Sequence, residues 1–383
     1  MTKPVVVSVF GTRPEAIKMA PVVRELAADQ DLDHRLVVTA QHRRLLDDVL
    51  ALFAITPDDD LDLMQERQSL DYINASALTG LGRVFDRLNP RFVLVHGDTT
   101  TTFAAALAAF YRRIPVGHVE AGLRTSSLDQ PFPEELNRRA ADLIASHYYC
   151  PTAGAAENLR LSREYGGDVF VTGNTVLDAV RLVHDPDYAF ADERLAGFAA
   201  HDGPKLVVTA HRRENWGQPL GAICNGLLAV LADFPQARAC FCWHPNPVVR
   251  ETIEPILDGH PRVLLVDPPR FDEFANLMAQ SDLLLTDSGG IQEEISQLKR
   301  FALVLRRETE RPEAVTAGFA QLVPPEVNAL RRAVGEVLPR CLAGELPPDV
   351  ASPFGDGHAA ARIHEAVRYA LGLEAQPPAD LVI

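Results

Sequence analysis

Short runs of apolar, β-branched residues recur along the chain, separated by longer stretches in which apolar positions return every three or four residues. Runs of the first kind lie at 5–10, 36–39, 92–96, 116–120, 148–150 and 169–172 and read as buried strands. Between them, 43–53, 70–88 and 101–112 read as helices. The stretch 184–204 is rich in Asp, Ala, Pro and Gly, keeps little periodicity, and reads as a linker carrying a short helix. The alternation then restarts, with strands at 206–210, 239–243, 263–266, 283–286 and 302–305 and helices at 220–234, 271–279, 291–298 and 330–338. A last helix over 358–371 precedes a Pro-containing tail. Strands alternating with helices predict an α/β protein with parallel sheets. Two such series predict two Rossmann-like lobes facing a cleft, with polar chemistry in the turns that follow the strands.

Composition narrows the function classes. The 383 residues carry 37 basic and 52 acidic side chains, a net charge of −15, which argues against a broad nucleic-acid surface but not against a local anion site. Five cysteines (Cys150, Cys224, Cys240, Cys242, Cys341) form no C-x-x-C pair and no zinc pattern with histidines, so no metal is expected and a reducing compartment is. The opening apolar run is too short for a signal peptide. No stretch approaches the ~20 apolar residues of a membrane span. A cytoplasmic protein without membrane or nucleic-acid partners is the expectation.

The turns after the strands hold the chemistry. Gly11-Thr12-Arg13-Pro14-Glu15 opens a helix after the first strand, with Lys18 one turn beyond Pro14, and Arg13 and Lys18 are suited to an anion. The segment lacks G-x-G-x-x-G, and no Walker A sequence occurs in the chain. After the next central strand come His96-Gly97-Asp98 and four threonines, which serve a helix cap as well as a site. Glu120 ends another strand, and Glu134 and Glu135 open a Pro-led helix where the helix dipole alone favours acids. If Asp98, Glu120 and Glu134 meet, their ionisations spread apart and one acts as acid while another acts as base. In the second series His211-Arg212-Arg213 follows a strand, and His244-Pro245-Asn246-Pro247 makes a similar turn. The most specific signal is Asp287-Ser288-Gly289-Gly290, a strand-to-helix turn with bare amides for an anion. Glu294 lies one turn further on, within reach of ribose hydroxyls, and Arg311 precedes another Pro-led helix start. Together they suggest a nucleoside diphosphate on the second lobe and carboxylates on the first.

In this order the chain reads GTRPEAIKMAP, AQHR, HGDTTTT, GHVEAGLRT, PFPEELNR, TGNTVLDA, HRREN, HPNPVVRE, TDSGGIQEE, TERPEAV and PFGDG. These eleven segments resemble the non-hydrolysing UDP-N-acetylglucosamine 2-epimerases, and the resemblance covers the chain from residue 5 to about 363. The resemblance implies a GT-B-type fold, with a first lobe over 1–175 joined by a returning helix at about 358–372 and a UDP-binding lobe over 176–357. It implies reversible inversion at C2 between UDP-GlcNAc and UDP-ManNAc, without cofactor, in a homodimer. Asp98, Glu120, Glu134 and His211 take the catalytic positions. Arg13, Lys18, Phe274, Ser288, Gly289, Gly290, Glu294 and Arg311 take the UDP-binding ones. Gln41, His42, Arg67, Arg212 and His244 match a second, activating UDP-GlcNAc site found in some members, although Arg44 stands where those members carry glutamine. Lys299-Arg300-Phe301 replaces a usual Gly-Lys-Pro, and Arg307-Glu308 a usual Asp-Thr.

The chemistry implied is elimination. C2 bears an acetamido group with no adjacent carbonyl, so enolisation is closed, and oxidation by NAD lacks its dinucleotide fingerprint. Loss of UDP with the C2 proton gives a 2-acetamidoglucal, to which UDP returns while C2 is protonated on the other face. Two other readings stay open. One is the same mechanism on a modified sugar such as a UDP-2,3-diacetamido uronic acid. The other is a GT-B glycosyltransferase, which leaves the C2 proton untouched.

Overall fold

The run VVVSVF forms β1 (Val5–Phe10), buried on both faces after its first residue. Such strands need no polar alternation, because helices cover the sheet on either side. In the computed structural model, described for residues 2–41, 43–162 and 166–382, the chain divides into two units. The first comprises Met1–Ala179 with Phe354–Ile383, and the second Val180–Pro353.

In the first unit β1 is followed by α1 (Arg13–Ala28), β2 (Asp33–Val38), α2 (Arg43–Leu52), the two-residue β3 (Asp59–Asp60) and α3 (Leu70–Leu88). Next come β4 (Phe92–His96), α4 (Thr100–Phe110), β5 (Val116–Val119) and α5 (Glu134–Ile144). The series closes with β6 (His147–Cys150), α6 (Ala153–Ser162), β7 (Asp168–Val171) and α7 (Thr175–Val183), which runs across the unit boundary. All strands are parallel, in the order β3-β2-β1-β4-β5-β6-β7. In α4, alanines 104, 105, 106, 108 and 109 are buried, and their small side chains let α3 and the sheet approach closely.

The second unit contains α8 (Glu193–Ala199) in the expected linker, then β8 (Lys205–Thr209), α9 (Gln218–Asp233), β9 (Arg238–Cys242), α10 (Pro247–Leu257) and β10 (Val263–Val266). It continues through α11 (Phe271–Ala279), β11 (Leu283–Thr286), α12 (Gly289–Gln297), β12 (Ala302–Val304), α13 (Pro312–Thr316), β13 (Ala320–Leu322) and α14 (Val327–Leu342). Its parallel sheet is ordered β10-β9-β8-β11-β12-β13. The chain then returns to the first unit as α15 (Ala359–Ala370), where His364 and Arg368 both bind Asp29 at the end of α1, at 2.7 and 2.6 Å. Each lobe is Rossmann-like, as expected from the doubled alternation, and two such lobes are the GT-B type that the family resemblance implies.

The structure differs from the sequence reading at three informative places. Strand β5 stops at Val119, one residue before the expected end, because Glu120 adopts a left-handed backbone with φ +64°. The edge strands β3 and β13 were not expected, since two or three residues carry no legible pattern. Lys299 holds φ +51° at the position where glycine is usual in the resembled family. Its ammonium donates to the Val350 carbonyl and lies 5.4 Å from the Phe319 ring centroid, contacts that offset the backbone strain. Among the described residues no helix is long and apolar enough to cross a membrane.

Candidate active site

Each sheet reverses its strand order once, between β1 and β4 in the first unit and between β8 and β11 in the second. In open parallel sheets ligands bind beyond the C-terminal strand ends at such a reversal. The turns after these four strands carry GTRPE, HGDTTTT, HRREN and DSGG.

At the first reversal Gly11 is packed so tightly that a Cβ would stand 2.0 Å from Thr39 Oγ1 and 2.6 Å from Thr101 Oγ1. Glu15, buried at the start of α1, accepts from the Gly11 amide at 3.0 Å, the Thr12 amide and hydroxyl at 2.8 Å each, and the Thr99 hydroxyl at 2.7 Å. Burial raises its pKa against the opposing pull of these bonds. Glu15 thereby ties the turn after β1 to the turn after β4.

Lys18, on the next turn of α1, pairs with the Glu120 carboxylate at Oε1, where Asn174 Nδ2 also donates at 3.1 Å. Glu120 Oε2 lies 3.6 Å from His96 Nε2 and as far from where a Gly97 Cβ would stand. A non-glycine residue in the left-handed region costs about 1–3 kcal/mol, and such strain gathers at functional sites. The adjoining Asp98 pairs with Arg138, and its carbonyl accepts from Asn137 Nδ2 at 3.0 Å. Glu134 lies one turn before these two on α5, hence on the same helix face, and its Oε2 is buried without a hydrogen-bond partner among the described residues. The Gly97 carbonyl faces His118 Nε2 at 2.7 Å, while His118 Nδ1 faces Asp142 at 2.6 Å and Arg124 completes the chain at 2.6 Å. One lobe edge thus gathers three carboxylates and an ammonium on a braced backbone.

At the second reversal the buried Asp287 accepts from the amides of His211 and Arg212 and from Asn215 Nδ2, each at 2.9 Å. This shapes the turn that presents His211, whose ring stacks on His244 with centroids 5.7 Å apart. Burial, and then the neighbouring His211, lower the pKa of His244. Ser288 precedes α12, and the bare Gly289 and Gly290 form its first two positions. Arg212 Nη2 lies 3.2 Å from where a Gly289 Cβ would stand, and Arg212 pairs with Glu310 at 3.2 Å. Arg311 pairs with the buried Glu293, and Thr309 links Gln292 to the Arg311 amide. Glu294 Oε1 stands 3.7 Å from a Gly290 Cβ position, and Phe274 packs partly buried against an apolar cluster of the second unit. A dipole-backed set of amides ringed by arginines suits a diphosphate.

Other expected residues are placed less centrally. Gln41 accepts from the Thr101 hydroxyl at 3.3 Å, beside the Asp98 turn. Arg67 is exposed, in a left-handed conformation, and makes no ion pair among the described residues. Half-buried Arg13 also makes none, and His42 lies outside the described residues. Glu15, His96, Arg138, Asn174 and Asp287 were not expected as site residues. Glu15, three residues after a threonine cap, carried a readable capping signal. Asn174 reaches Glu120 across 54 residues, and no local pattern announces that.

A model of the UDP-N-acetylglucosamine 2-epimerase family matches residues 24–368. A Thermotoga maritima relative is 47% identical over 97% of this chain and 98% of its own length. The UDP-N-acetylglucosamine 2-epimerase of Escherichia coli is 44% identical over 95% of this chain and 98% of its own. The crystal structure of the Neisseria meningitidis UDP-GlcNAc 2-epimerase bound to UDP-GlcNAc superposes with a TM-score of 0.84 at 40% identity, covering 95% of this chain and all of that one. With the family model matching most of its length and relatives this similar end to end, the chain belongs to the UDP-N-acetylglucosamine 2-epimerase family.

Proposed function

We propose that this protein interconverts UDP-GlcNAc and UDP-ManNAc by eliminating and re-adding UDP. The observation that carries the reading is the gathering of Asp98, Glu120 and Glu134 with Lys18 at one strand reversal. Inversion at an unactivated C2 requires a base on one face and an acid on the other, and carboxylates in unlike surroundings divide those tasks. Glu120 is held by a cation and an amide, Asp98 by a guanidinium, while a Glu134 oxygen is buried without a partner among the described residues.

In the forward direction one carboxylate takes the C2 proton, the C–H electrons form the C1–C2 double bond, and the C1–O bond breaks with its pair leaving on UDP. In the return half UDP adds back to C1 on the face it left, while C2 takes its proton on the opposite face. No change of oxidation state occurs overall. UDP must be bound tightly enough to hold its charge as it leaves, the task assigned to Ser288, Gly289, Gly290 and Arg311, with Glu294 on the ribose and His211 at the reacting end. Arg13 supplies a further cation.

Purified protein incubated with UDP-GlcNAc alone should yield a fixed equilibrium mixture with UDP-ManNAc, read by proton NMR. Conversion only of a diacetamido uronic acid substrate would replace the sugar but keep the mechanism. Transfer of the sugar to an added acceptor, without epimer, would overturn the reading.

A further inference from the structure

His96 ends β4 inside the first lobe with only 3% of its surface exposed, and neither ring nitrogen has a hydrogen-bond partner among the described residues. An imidazole always has nitrogens to satisfy, and interiors rarely leave such atoms unpaired without a functional reason. An apolar side chain would fill the space without that cost. The backbone here is fixed independently, since the Thr102 hydroxyl donates to the His96 carbonyl at 2.5 Å. The charged and titratable groups acting on the ring are Glu120 beyond β5, Lys18 on α1 and His118 on β5. Burial, the largest influence, lowers its pKa to about 3, so the ring is neutral in ordinary buffers.

Nε2 faces Glu120 Oε2 at 3.6 Å, a few tenths of an ångström beyond hydrogen-bond range. Lys18 and Asn174 hold the other oxygen, Oε1. Catalytic hydrogen bonds are often long in a ligand-free protein and tighten when substrate arrives. We propose that His96 is a positioning residue whose neutral Nε2–H closes on Glu120 Oε2 in the substrate complex, fixing the plane of that carboxylate. The proton stays on the ring and His96 makes no bond to the sugar. The inference rests on Glu120 being an acid–base group, as assigned above. A second cation at this place would compete with Lys18, whereas a neutral donor orients the carboxylate without adding charge.

The test compares wild type, His96→Leu, His96→Gln and Glu120→Gln by epimerisation rate across pH, KM, UDP affinity by calorimetry and thermal midpoint. His96→Leu should lower kcat about tenfold to a hundredfold, with KM and UDP affinity within about twofold. Its acid limb should move to higher pH, because losing a donor to the carboxylate favours the protonated acid. His96→Gln, which keeps an N–H near the Nε2 position, should recover most of the rate. A His96→Leu protein with wild-type rate and pH profile would overturn the proposal. So would equal losses in both variants that track the thermal midpoint. Should His96→Leu not fold, His96→Gln decides alone: near-wild-type kcat and an unmoved acid limb support the proposal, and a loss as deep as that of Glu120→Gln overturns it. Full activity in Glu120→Gln would instead sink the assignment of Glu120, which separates the two failures.

Discussion

Glu120 keeps a left-handed backbone although glutamate has no preference for it, at a cost of about 1–3 kcal/mol. The gain is a carboxylate turned back over Gly97, within reach of Lys18, Asn174 and His96. Glu120→Gln preserves shape and removes one of the carboxylates assigned to acid–base work, so kcat should fall about 10²- to 10⁴-fold, the usual contribution of a positioned acid or base. UDP affinity, measured by calorimetry, should change far less than kcat, because Ser288, Gly289, Gly290 and Arg311, the main contacts assigned to UDP, are on the second lobe. A matched fall in UDP binding would show that Glu120 acts on the nucleotide instead.

At the scale of elements, the strand-end turns are braced by contacts within the protein. Gly11 is a point of contact between three segments, and Gly11→Ala must displace Thr39 and Thr101. Overpacking of that kind costs about 1–3 kcal/mol, so the urea midpoint should fall, and activity should fall too as the Asp98 turn shifts. A variant with wild-type midpoint would mean that this turn yields more easily than its packing implies. The same elements show what the sequence makes legible. β1, β4, β8 and β11 are readable because burial on both faces leaves unbroken apolar runs. Asp98, Glu120 and Ser288 are readable because they directly follow such runs. The end of β5 at Val119 is not, because a tertiary arrangement, not a propensity, sets the Glu120 backbone. His118 with Asp142, Asn174 with Glu120, and Asp287 with Asn215 join positions 24, 54 and 72 residues apart, distances over which no local pattern extends.

At the scale of the whole molecule, the chain leaves the first lobe, builds the second, and comes back as α15. Asp29 fastens that return. Burial raises its pKa, but the Asp31 amide, His364 and Arg368 outweigh this and bring it to about 2. An unfolded aspartate titrates near ~3.9, so the depressed value adds stability above about pH 4 that is lost as pH falls towards about 2. The gap in thermal midpoint between wild type and Asp29→Asn should therefore close over that window, and a constant gap would refute the assignment. If the family's activator site operates here, Arg67→Ala should turn sigmoidal or lagging kinetics hyperbolic. Unchanged curvature would remove Arg67 from that role.

The central claim is that C2 loses its proton while UDP departs, and solvent isotope reads this directly. Proton NMR of the protein with UDP-GlcNAc in heavy water, without NAD or metal, should show UDP-ManNAc carrying deuterium at C2 and deuterium entering the UDP-GlcNAc pool. Epimer formed with its original C2 proton retained would contradict elimination through a glycal.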